Sequence, residues 1–407
     1  MSGPCSNCYN MENRRQDLPY GRLESVALIP VLLVLLWSFF MYSGLADLQW
    51  DFPVYYYTAK MHSMGVGLYD SETLLEIAPY PINTYVYPPL TVYFFKPFSF
   101  FEYGLAQHVF LGVKLLLVGV LLSSWRDFFL KRDVDVFYYG ACLLAYNMTL
   151  IRDLIGGNIS VFEQAFLWSG FYFLLRGRHS LFSLFVLAAS SFKLNLIVFL
   201  GLVLLVGDNA RYRVFLRSAF VFSLYLVFSY LASPSQFDSY VNSANLSVSI
   251  PNERGVLNPC MPELLGDLSD ILRYEYGIFT PGILWQIIYL LTSLTVLLLT
   301  LKAFMVLRSS SASDWRRMIL FLSTVAFALV MPRFKDYSYI LLLPATYFIL
   351  RRPKYVRHYN FLVMATYFVI PIFSSGLKYP FTLLEYYPLF MAYAVWVMYL
   401  KDVFSDR

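Results

Sequence analysis

Residues 181–207 read LFSLFVLAASSFKLNLIVFLGLVLLVG, an apolar run that is interrupted by Lys193-Leu194-Asn195. As one helix this run would measure about 40 Å and could cross a bilayer once. One crossing here would place every later cluster of basic residues outside, although Lys and Arg favour the cytoplasmic side. Two short half-spans that meet near Lys193 keep those clusters inside. The sequence therefore predicts a broken helical hairpin, which a membrane tolerates only where it lines a cavity or is buried in protein.

The rest of the chain is similarly apolar. Hydrophobic residues make up 58% of the 407 positions and charged residues 14%, whereas a soluble domain has about 45–50% and about 25%. The surplus is gathered in long runs, which is typical of membrane spans. The other apolar runs lie near 26–46, 104–124, 136–151, 159–175, 214–232, 281–301, 316–331, 338–350, 359–375 and 383–400. This pattern predicts an all-α polytopic membrane protein, a bundle of about 10–12 transmembrane helices.

Basic residues decide the predicted orientation. They recur between the apolar runs, so the tails at 1–25 and 401–407 are both placed in the cytoplasm. Residues 26–400 then form a single membrane domain of a multi-pass protein of the cell (inner, cytoplasmic) membrane. On this topology the outer face carries two large loops, at 47–103 and 233–280.

Several classes of function find no support in the sequence. The net charge of +5 comes without a basic patch interleaved with stacking aromatics, so nucleic acid is not expected as a partner. The chain has no Walker motif for a nucleotide, and its four histidines are too scattered to ligate a metal together. Cys5 and Cys8 form a CxxC with no second pair. We therefore expect neither a metal nor a cofactor.

An acidic residue stands at the start of the first outer loop. Asp51 lies in DLQWDFPVYYY (47–57), and the stretch from Tyr55 to Leu68 is predicted to form a short amphipathic helix and a turn. A carboxylate held at the membrane surface can act as general base for an acceptor hydroxyl. Tyr55 and Tyr56 could pack on a sugar ring next to it. The alternative is that Asp51 is a helix cap or a solvated loop acid.

Three cations are candidates for holding a phosphate. Lys193, with Asn195, lies at the predicted tip of the hairpin, where a cation suits a phosphate that arrives on a lipid. The alternative is a lysine that snorkels to the headgroups. Arg333 and Lys335 lie in MPRFKDY (331–337) between two spans, where Arg333 can bind a phosphate bidentately and Lys335 adds a point charge. An ordinary loop with an Arg–Asp pair is the alternative there.

Two further turns carry polar or rigid residues. Arg152, Asp153 and Asn158 accompany the glycines of GGN (156–158) on a predicted outer segment. The stretch YVYPPL (85–90) contains two prolines, which stop a helix and favour an extended turn. We expect this second turn to serve the architecture and not the chemistry.

The order of these features resembles the GT-C superfamily, specifically glycosyltransferase family 87. The stretches that carry the resemblance are DFPVYYYTAK…GVGLYD (51–70), YVYPPLTVYFFKPF (85–98), GGNISVFEQAFL (156–167), SSFKLNLIVFL (190–200) and MPRFKDYSYILLLP (331–344). They resemble the family's acidic first-loop motif, its Tyr-Pro-Pro-Leu turn, its Gly-Gln/Asn turn, its mid-hairpin lysine and its late Pro-Arg loop. The ordered set spans most of the chain.

The resemblance implies an enzyme that acts at the extracytoplasmic face of the cell membrane. It would transfer a sugar, with mannose as first choice, from a polyprenyl-phosphate donor to an envelope glycolipid or glycan. Carried over by position, Asp51 is the catalytic base, and Lys193, Arg333 and Lys335 hold the donor phosphate. Asn158 stands where the family usually has Gln and is carried over as a substrate-binding residue.

Two other functions stay open on the sequence. A multi-pass transporter or flippase of lipid-linked or small solutes has a similar number of spans, although no matching halves are visible. An envelope polymer polymerase or ligase is the third possibility.

Overall fold

The structure is a computed structural model that describes residues 49–79, 81–131, 134–207, 211–248, 253–310, 313–367 and 381–405. The predicted tail at 1–25 and the predicted first span at 26–46 lie outside the described residues. The last two residues of the predicted C-terminal tail, 406–407, lie outside as well.

The described residues form sixteen α-helices, joined by loops, short 3₁₀ turns and the π-helical turn Trp125–Phe129, and none of them lies in a strand. In chain order the helices are α1 (Phe52–Ser63), α2 (Ser71–Ile77), α3 (Val92–Phe95), α4 (Tyr103–Ser124), α5 (Val136–Gly156), α6 (Ser160–Leu175), α7 (His179–Ser190), α8 (Leu202–Val206), α9 (Arg211–Ala232), α10 (Pro234–Val248), α11 (Met261–Glu275), α12 (Gly282–Ser309), α13 (Trp315–Val330), α14 (Leu343–Leu350), α15 (Tyr359–Thr366) and α16 (Tyr387–Ser405).

Among the described residues, four helical stretches are long and apolar enough to cross a membrane: Tyr103–Phe129, Arg211–Ala232, Gly282–Ser309 and Thr382–Ser405. They coincide with four of the predicted apolar runs, at 104–124, 214–232, 281–301 and 383–400. Each of these runs is about as long as a helix needs to be to cross a bilayer. The all-α polytopic membrane class is therefore confirmed.

Helix α9 buries two of its serines and exposes large apolar residues. The residues it buries are Ser218 and Ser229, whereas Leu216, Phe220 and Phe228 are each more than 60% exposed. Water would penalise such an arrangement, whereas lipid favours it because hydrocarbon solvates an apolar face. This surface is that of a helix in contact with lipid.

The centre of the bundle is built around α13. Eleven of its sixteen residues are buried, and it packs against α12, α14 and α16. The segment before α14 is a 3₁₀ helix, Asp336–Leu342, that packs against α5 and is largely buried too. The late MPRFKDY loop is therefore held between two of the most buried parts of the molecule.

The break in the 181–207 run is confirmed. Helix α7 ends at Ser190, and Lys193 has an extended backbone with φ −133° and ψ 108°. A 3₁₀ segment, Leu194–Gly201, and the short α8 then follow, and the 3₁₀ segment packs back against α7. Each half is shorter than a helix that crosses a bilayer, as predicted. The side of the membrane that they reach stays a prediction.

Three local expectations need correction. Helix α1 is not amphipathic but buried on nearly all sides, because α3, the 3₁₀ turn after it and α4 enclose it. Helix α5 is interrupted by non-helical backbone at residues 145–148 and then continues to Gly156, beyond the expected end at residue 151. Arg152 and Asp153 are therefore buried helical residues and not part of an outer turn; each has an ion-pair partner that makes its burial possible.

The two large loops contain helices of their own. The first includes α1 to α3, and the stretch Leu90–Phe101, predicted to be too short to span, forms only short helical turns. The second includes α10 and α11. The bounds of the loops as membrane-external segments stay a prediction.

Candidate active site

A polar cavity of about 590 Å³ lies where the first loop, α6, the α7 break and the late loop meet. It is lined by residues that were singled out in the sequence, although they come from positions far apart in the chain: Asp51, Tyr55, Lys193, Asn195, Arg333 and Lys335. The fold therefore brings the candidate carboxylate and all three candidate cations to one place.

The backbone and the side chain of Asp51 are both anchored to the turn after α5. The Asp51 amide donates to the Gly156 carbonyl at 2.9 Å, and the Asn158 amide group donates to Asp51 Oδ2 at 2.6 Å. Asp51 stands at the N-cap of α1, but its side chain makes no capping hydrogen bond there. Its carboxylate is thus oriented by Asn158 toward the cavity, and not by the helix it precedes.

The turn itself depends on Gly157. This residue has a left-handed backbone, with φ +65°, and a Cβ placed on it would lie 2.8 Å from Gln49 Cβ and 3.2 Å from Phe52 Cβ. A side chain here would push α5 away from the segment that carries Asp51. The glycine therefore allows the close approach on which the position of Asp51 depends.

The surroundings of Asp51 change its proton affinity. Burial raises the pKa of the Asp51 carboxyl above its ordinary value, and the neighbouring charge of Glu253 acts in the same direction. The charge of Lys335, the hydrogen bond from Asn158 and the charge of Lys114 lower the pKa and only partly offset the effect of burial. A carboxylate of raised pKa binds a proton more strongly, as a general base must.

Two tyrosines close the cavity beside Asp51. The hydroxyl groups of Tyr55 and Tyr87 are 2.7 Å apart, and the Tyr55 ring stacks on Phe95 with 4.3 Å between ring centroids. Asn158 Nδ2 lies 3.5 Å from the Tyr87 hydroxyl. The YVYPPL turn thus contributes more than architecture, since its Tyr87 reaches the same amide that holds Asp51.

The structure does not bring Tyr56 to the cavity. Successive residues of a helix point about 100° apart, so Tyr56 faces away from its neighbour Tyr55. It is fully buried against Phe52 and Tyr103, and its hydroxyl donates to the carbonyl of Phe101 at 2.8 Å. Its expected contact with substrate is thus not supported by its position.

The two cations of the late loop share one carboxylate. Lys335 Nζ lies 2.8 Å from Glu253 Oε1, and Arg333 pairs with Glu253 Oε2. Asp336, the acid of the expected Arg–Asp pair, is instead joined to Arg152 at 3.2 Å. Arg333 and Lys335 are therefore directed together into the cavity, with an acidic side chain where an anion would bind.

Lys193 approaches from the opposite segment. Its Nζ lies 3.0 Å from Glu163 Oε2 and 3.2 Å from Ser160 Oγ, and it sits 5.3 Å from the centroid of the Tyr337 ring. Lys335 Nζ lies 5.7 Å from the same ring centroid. The two ammonium groups therefore flank one tyrosine, close enough to act on one anionic group.

Sequence reasoning gave no role to several residues that the structure brings to this site or next to it: Lys114, Glu163, Glu253, Tyr87 and Tyr337. Lys114 and Glu163 lie inside predicted spans, where any charge is a candidate for function, so this signal could have identified them. Glu253 lies in the second large loop, 80 residues before Arg333, and nothing local marks it.

These features define an all-helical membrane protein with a half-buried carboxylate and a group of cations around one polar cavity. The family model of glycosyltransferase family 87 matches residues 85–332. The match covers more than half of the chain, so the chain belongs to glycosyltransferase family 87 and is a membrane glycosyltransferase. No match to a curated protein was found. Lys193 and Asn158 lie within the matched residues. Arg333 and Lys335 follow directly after the matched stretch, whereas Asp51 lies well before its start at residue 85.

Proposed function

We propose that this enzyme transfers a sugar, with mannose as first choice, from a polyprenyl-phosphate donor to an envelope glycolipid or glycan on the extracytoplasmic face of the cell membrane. The observation that supports this most is the single cavity that joins Asp51 to three cations from distant segments. A base for an acceptor hydroxyl and a site for a departing phosphate are the two groups that such a transfer needs.

The proposed reaction is a direct displacement. The acceptor hydroxyl gives its proton to Asp51, and its oxygen forms a bond to the anomeric carbon of the donor sugar. The bond from that carbon to the phosphate oxygen breaks, and its electron pair leaves with polyprenyl phosphate. One displacement inverts the configuration at the anomeric carbon. Because negative charge on the phosphate grows as this bond breaks, Lys193, Arg333 and Lys335 stabilise the transition state more than the bound donor.

The pairing of the cations without a donor is compatible with this reaction. Glu253 forms ion pairs with Arg333 and Lys335. A donor phosphate would replace Glu253 in these pairs and would make a bidentate contact to Arg333. Glu163 holds Lys193 from the other side and is itself almost fully buried, so it fixes the direction of that cation. The acids thus keep these half-buried cations paired until an anion arrives.

An apolar cavity supports a donor that is carried by a lipid. It has a volume of about 800 Å³ and lies between α4, α6 and the short helical turns near Phe94. Helix α6 separates it from the polar cavity: Phe162 and Phe166 line the apolar side, and Glu163 lines the polar side. An isoprenoid chain could occupy the first while its phosphate reaches the second. A nucleotide-linked donor has no lipid chain that would occupy such an apolar cavity.

The decisive experiment is a transfer assay with the purified protein in lipid nanodiscs. Radiolabelled polyprenyl-phosphate mannose is supplied together with extracted envelope glycolipids or glycans, and labelled product is measured. We expect transfer from this donor and none from GDP-mannose. If the protein moves the labelled lipid across a vesicle membrane but transfers no sugar, it is a flippase and the proposal is wrong.

Variants of the cations test the donor site. Lys193→Ala and Arg333→Ala should each reduce kcat/KM for the donor about tenfold or more, because a hydrogen bond to a charged group contributes about 1.5–3 kcal/mol. Lys60→Ala is the matched control, since Lys60 lies in the same large loop as Asp51 but does not line the cavity. Unchanged kinetics in both cavity variants would assign these cations to anchoring alone.

A further inference from the structure

A pair of opposite charges lies wholly buried next to the Asp51 turn. Lys114 of α4 and Asp153 of α5 have fully buried side chains, and Lys114 Nζ is 2.7 Å from Asp153 Oδ2. The same Nζ donates to two backbone carbonyls, that of Asp153 at 2.5 Å and that of Asn158 at 2.7 Å. One lysine thus binds the end of α5 and the turn that follows it.

Stability alone is a poor reason for this pair. Removing two charges from water costs several kcal/mol each, and apolar residues of similar volume often serve stability as well or better. Lys114 lies in the middle of a stretch apolar enough to span a membrane, where ionisable residues are rare and usually functional. The pair therefore calls for an explanation in terms of what it holds.

The pair holds Asn158, the residue that supports Asp51, the proposed base. Lys114 binds the backbone carbonyl of Asn158, and the Asn158 side chain in turn donates to Asp51 Oδ2 at 2.6 Å. The Asn158 Oδ1 accepts from the Ser160 amide at 3.0 Å and from Ser160 Oγ at 2.9 Å. Ser160 Oγ also accepts from Lys193 Nζ. One turn thus connects Lys114 both to the carboxylate and to a cation of the donor site.

We propose that Lys114, neutralised by Asp153, is a positioning residue that locks the Gly156–Asn158 turn and so aims the Asp51 carboxylate at the acceptor hydroxyl. This inference rests on the proposed function, because it assigns Lys114 to the base of that reaction. Lys114 does not line the cavity and touches no reacting atom, so it acts through Asn158.

The positive charge of Lys114 gives this role a signature in the pH profile. Among the described residues, the groups with the largest electrostatic effects on Asp51, or affected by it, include Lys335, Lys114, Glu253, Tyr55, Tyr87 and Tyr337, with Asn158 as hydrogen-bond donor. Lys114 lowers the pKa of Asp51, so its removal raises that pKa further. Since Asp51 must be ionised to accept a proton, the acid limb of kcat/KM should then move to higher pH.

The test uses a double variant, because Lys114→Ala alone would leave Asp153 buried without its partner and could prevent folding. Lys114→Met with Asp153→Asn removes both charges at nearly constant volume. The matched control is Arg126→Met with Asp127→Asn, an ion pair with 2.9 Å between Nε and Oδ1 that lies directly after α4, the helix that carries Lys114. Sugar transfer against pH, polyprenyl-phosphate affinity and Tm are measured in nanodiscs for each.

We expect the Lys114/Asp153 double variant to lose about 10–100-fold in kcat, the size of effect that a small displacement of a catalytic group can have. Its acid limb should shift to higher pH, while the affinity for polyprenyl phosphate stays within about twofold. The control pair should leave kcat and the pH profile unchanged.

Two results overturn the inference in different ways. If the wild type is active and the Lys114/Asp153 variant keeps its rate and pH profile, with or without a lower Tm, the pair serves stability only. If the wild-type protein transfers no sugar from a polyprenyl-phosphate donor, the proposed function fails, and the inference fails with it.

Discussion

Asp51 is the residue on which the proposed chemistry depends. Its carboxylate is held by Asn158, lies in the cavity with the three cations and has a raised pKa because of burial. The same burial has a cost, since a carboxylate in a protein interior must be hydrogen-bonded or paired. The structure offsets this cost with the Asn158 amide at Oδ2 and with the charges of Lys335 and Lys114.

Asp51→Asn should abolish proton acceptance and keep the shape of the side chain. We expect transfer to fall by about 10²–10⁴-fold, the usual contribution of general-base catalysis. Expression, Tm and polyprenyl-phosphate affinity should stay near the wild-type values. Glu72→Gln is the control, because Glu72 is an exposed acid of the same loop. A purified Asp51→Asn protein that works at the wild-type rate would falsify the assignment.

Glu253 is expected to affect both the donor site and the base. It occupies Arg333 and Lys335, and its charge raises the pKa of Asp51. In Glu253→Gln the cations should bind the donor phosphate more readily, so KM falls. The pKa of Asp51 falls as well, so the acid limb of kcat/KM moves to lower pH, opposite to the shift expected without Lys114. A higher KM would show that Glu253 binds substrate and does not compete with it.

At the scale of elements, the turn between α5 and α6 is the most constrained connection of the site. It places Gly156, Gly157 and Asn158 against the start of α1, so that backbone and side-chain bonds both reach Asp51. Helix α6 then separates the polar cavity from the apolar one. A small change in this turn should therefore alter catalysis before it alters the bundle.

Gly157→Ala tests that connection against a matched glycine. Gly157 and Gly177 are both left-handed, with φ +65° and +71°, and alanine in either pays about 1–2 kcal/mol of backbone strain. The added Cβ would meet Gln49 and Phe52 at Gly157, whereas nothing lies within 4 Å at Gly177. We expect Gly157→Ala to lose both Tm and kcat, and Gly177→Ala to lose only Tm. Equal transfer rates in the two variants would contradict the role of this turn.

At the scale of the whole molecule, the chemistry requires the cavity to open to one side of the membrane. The break at Lys193 is part of the cavity wall. Whether residues 181–207 cross the membrane once or turn back as a hairpin decides which side of the membrane that wall faces. The proposed extracytoplasmic face therefore depends on counting two half-spans in place of one full span.

Cysteine labelling can test this topology in intact cells. Starting from a Cys5→Ser, Cys8→Ser background, Ser71→Cys should react with an impermeant maleimide from outside, because Ser71 is exposed in the first large loop. Ser405→Cys, at the end of the last helix, should react only after permeabilisation. The natural Cys142 and Cys260 are buried. Outside labelling at Ser405→Cys in intact cells would rule out the broken-hairpin topology.

Features that depend on local composition could be read from the sequence. The all-α membrane class, the four longest spans and the break at Lys193 each show as a run of apolar residues or its interruption. A run of that length has few other structural solutions, because lipid requires every backbone polar group to be satisfied within the helix. Four charged residues of the cavity were found for the same reason, because charges next to apolar runs are rare: Asp51, Lys193, Arg333 and Lys335.

The partners of those residues were decided by tertiary structure alone. Glu253 meets Arg333 from 80 positions away and Lys114 meets the Asn158 carbonyl from 44, and no periodicity in the chain indicates either contact. Tyr55 and Tyr56 look alike in the sequence, yet only one faces the cavity, because the direction of a side chain follows from how α1 packs. The sequence thus determined which groups are available for catalysis in the membrane. Packing of distant helices determined which of them act together.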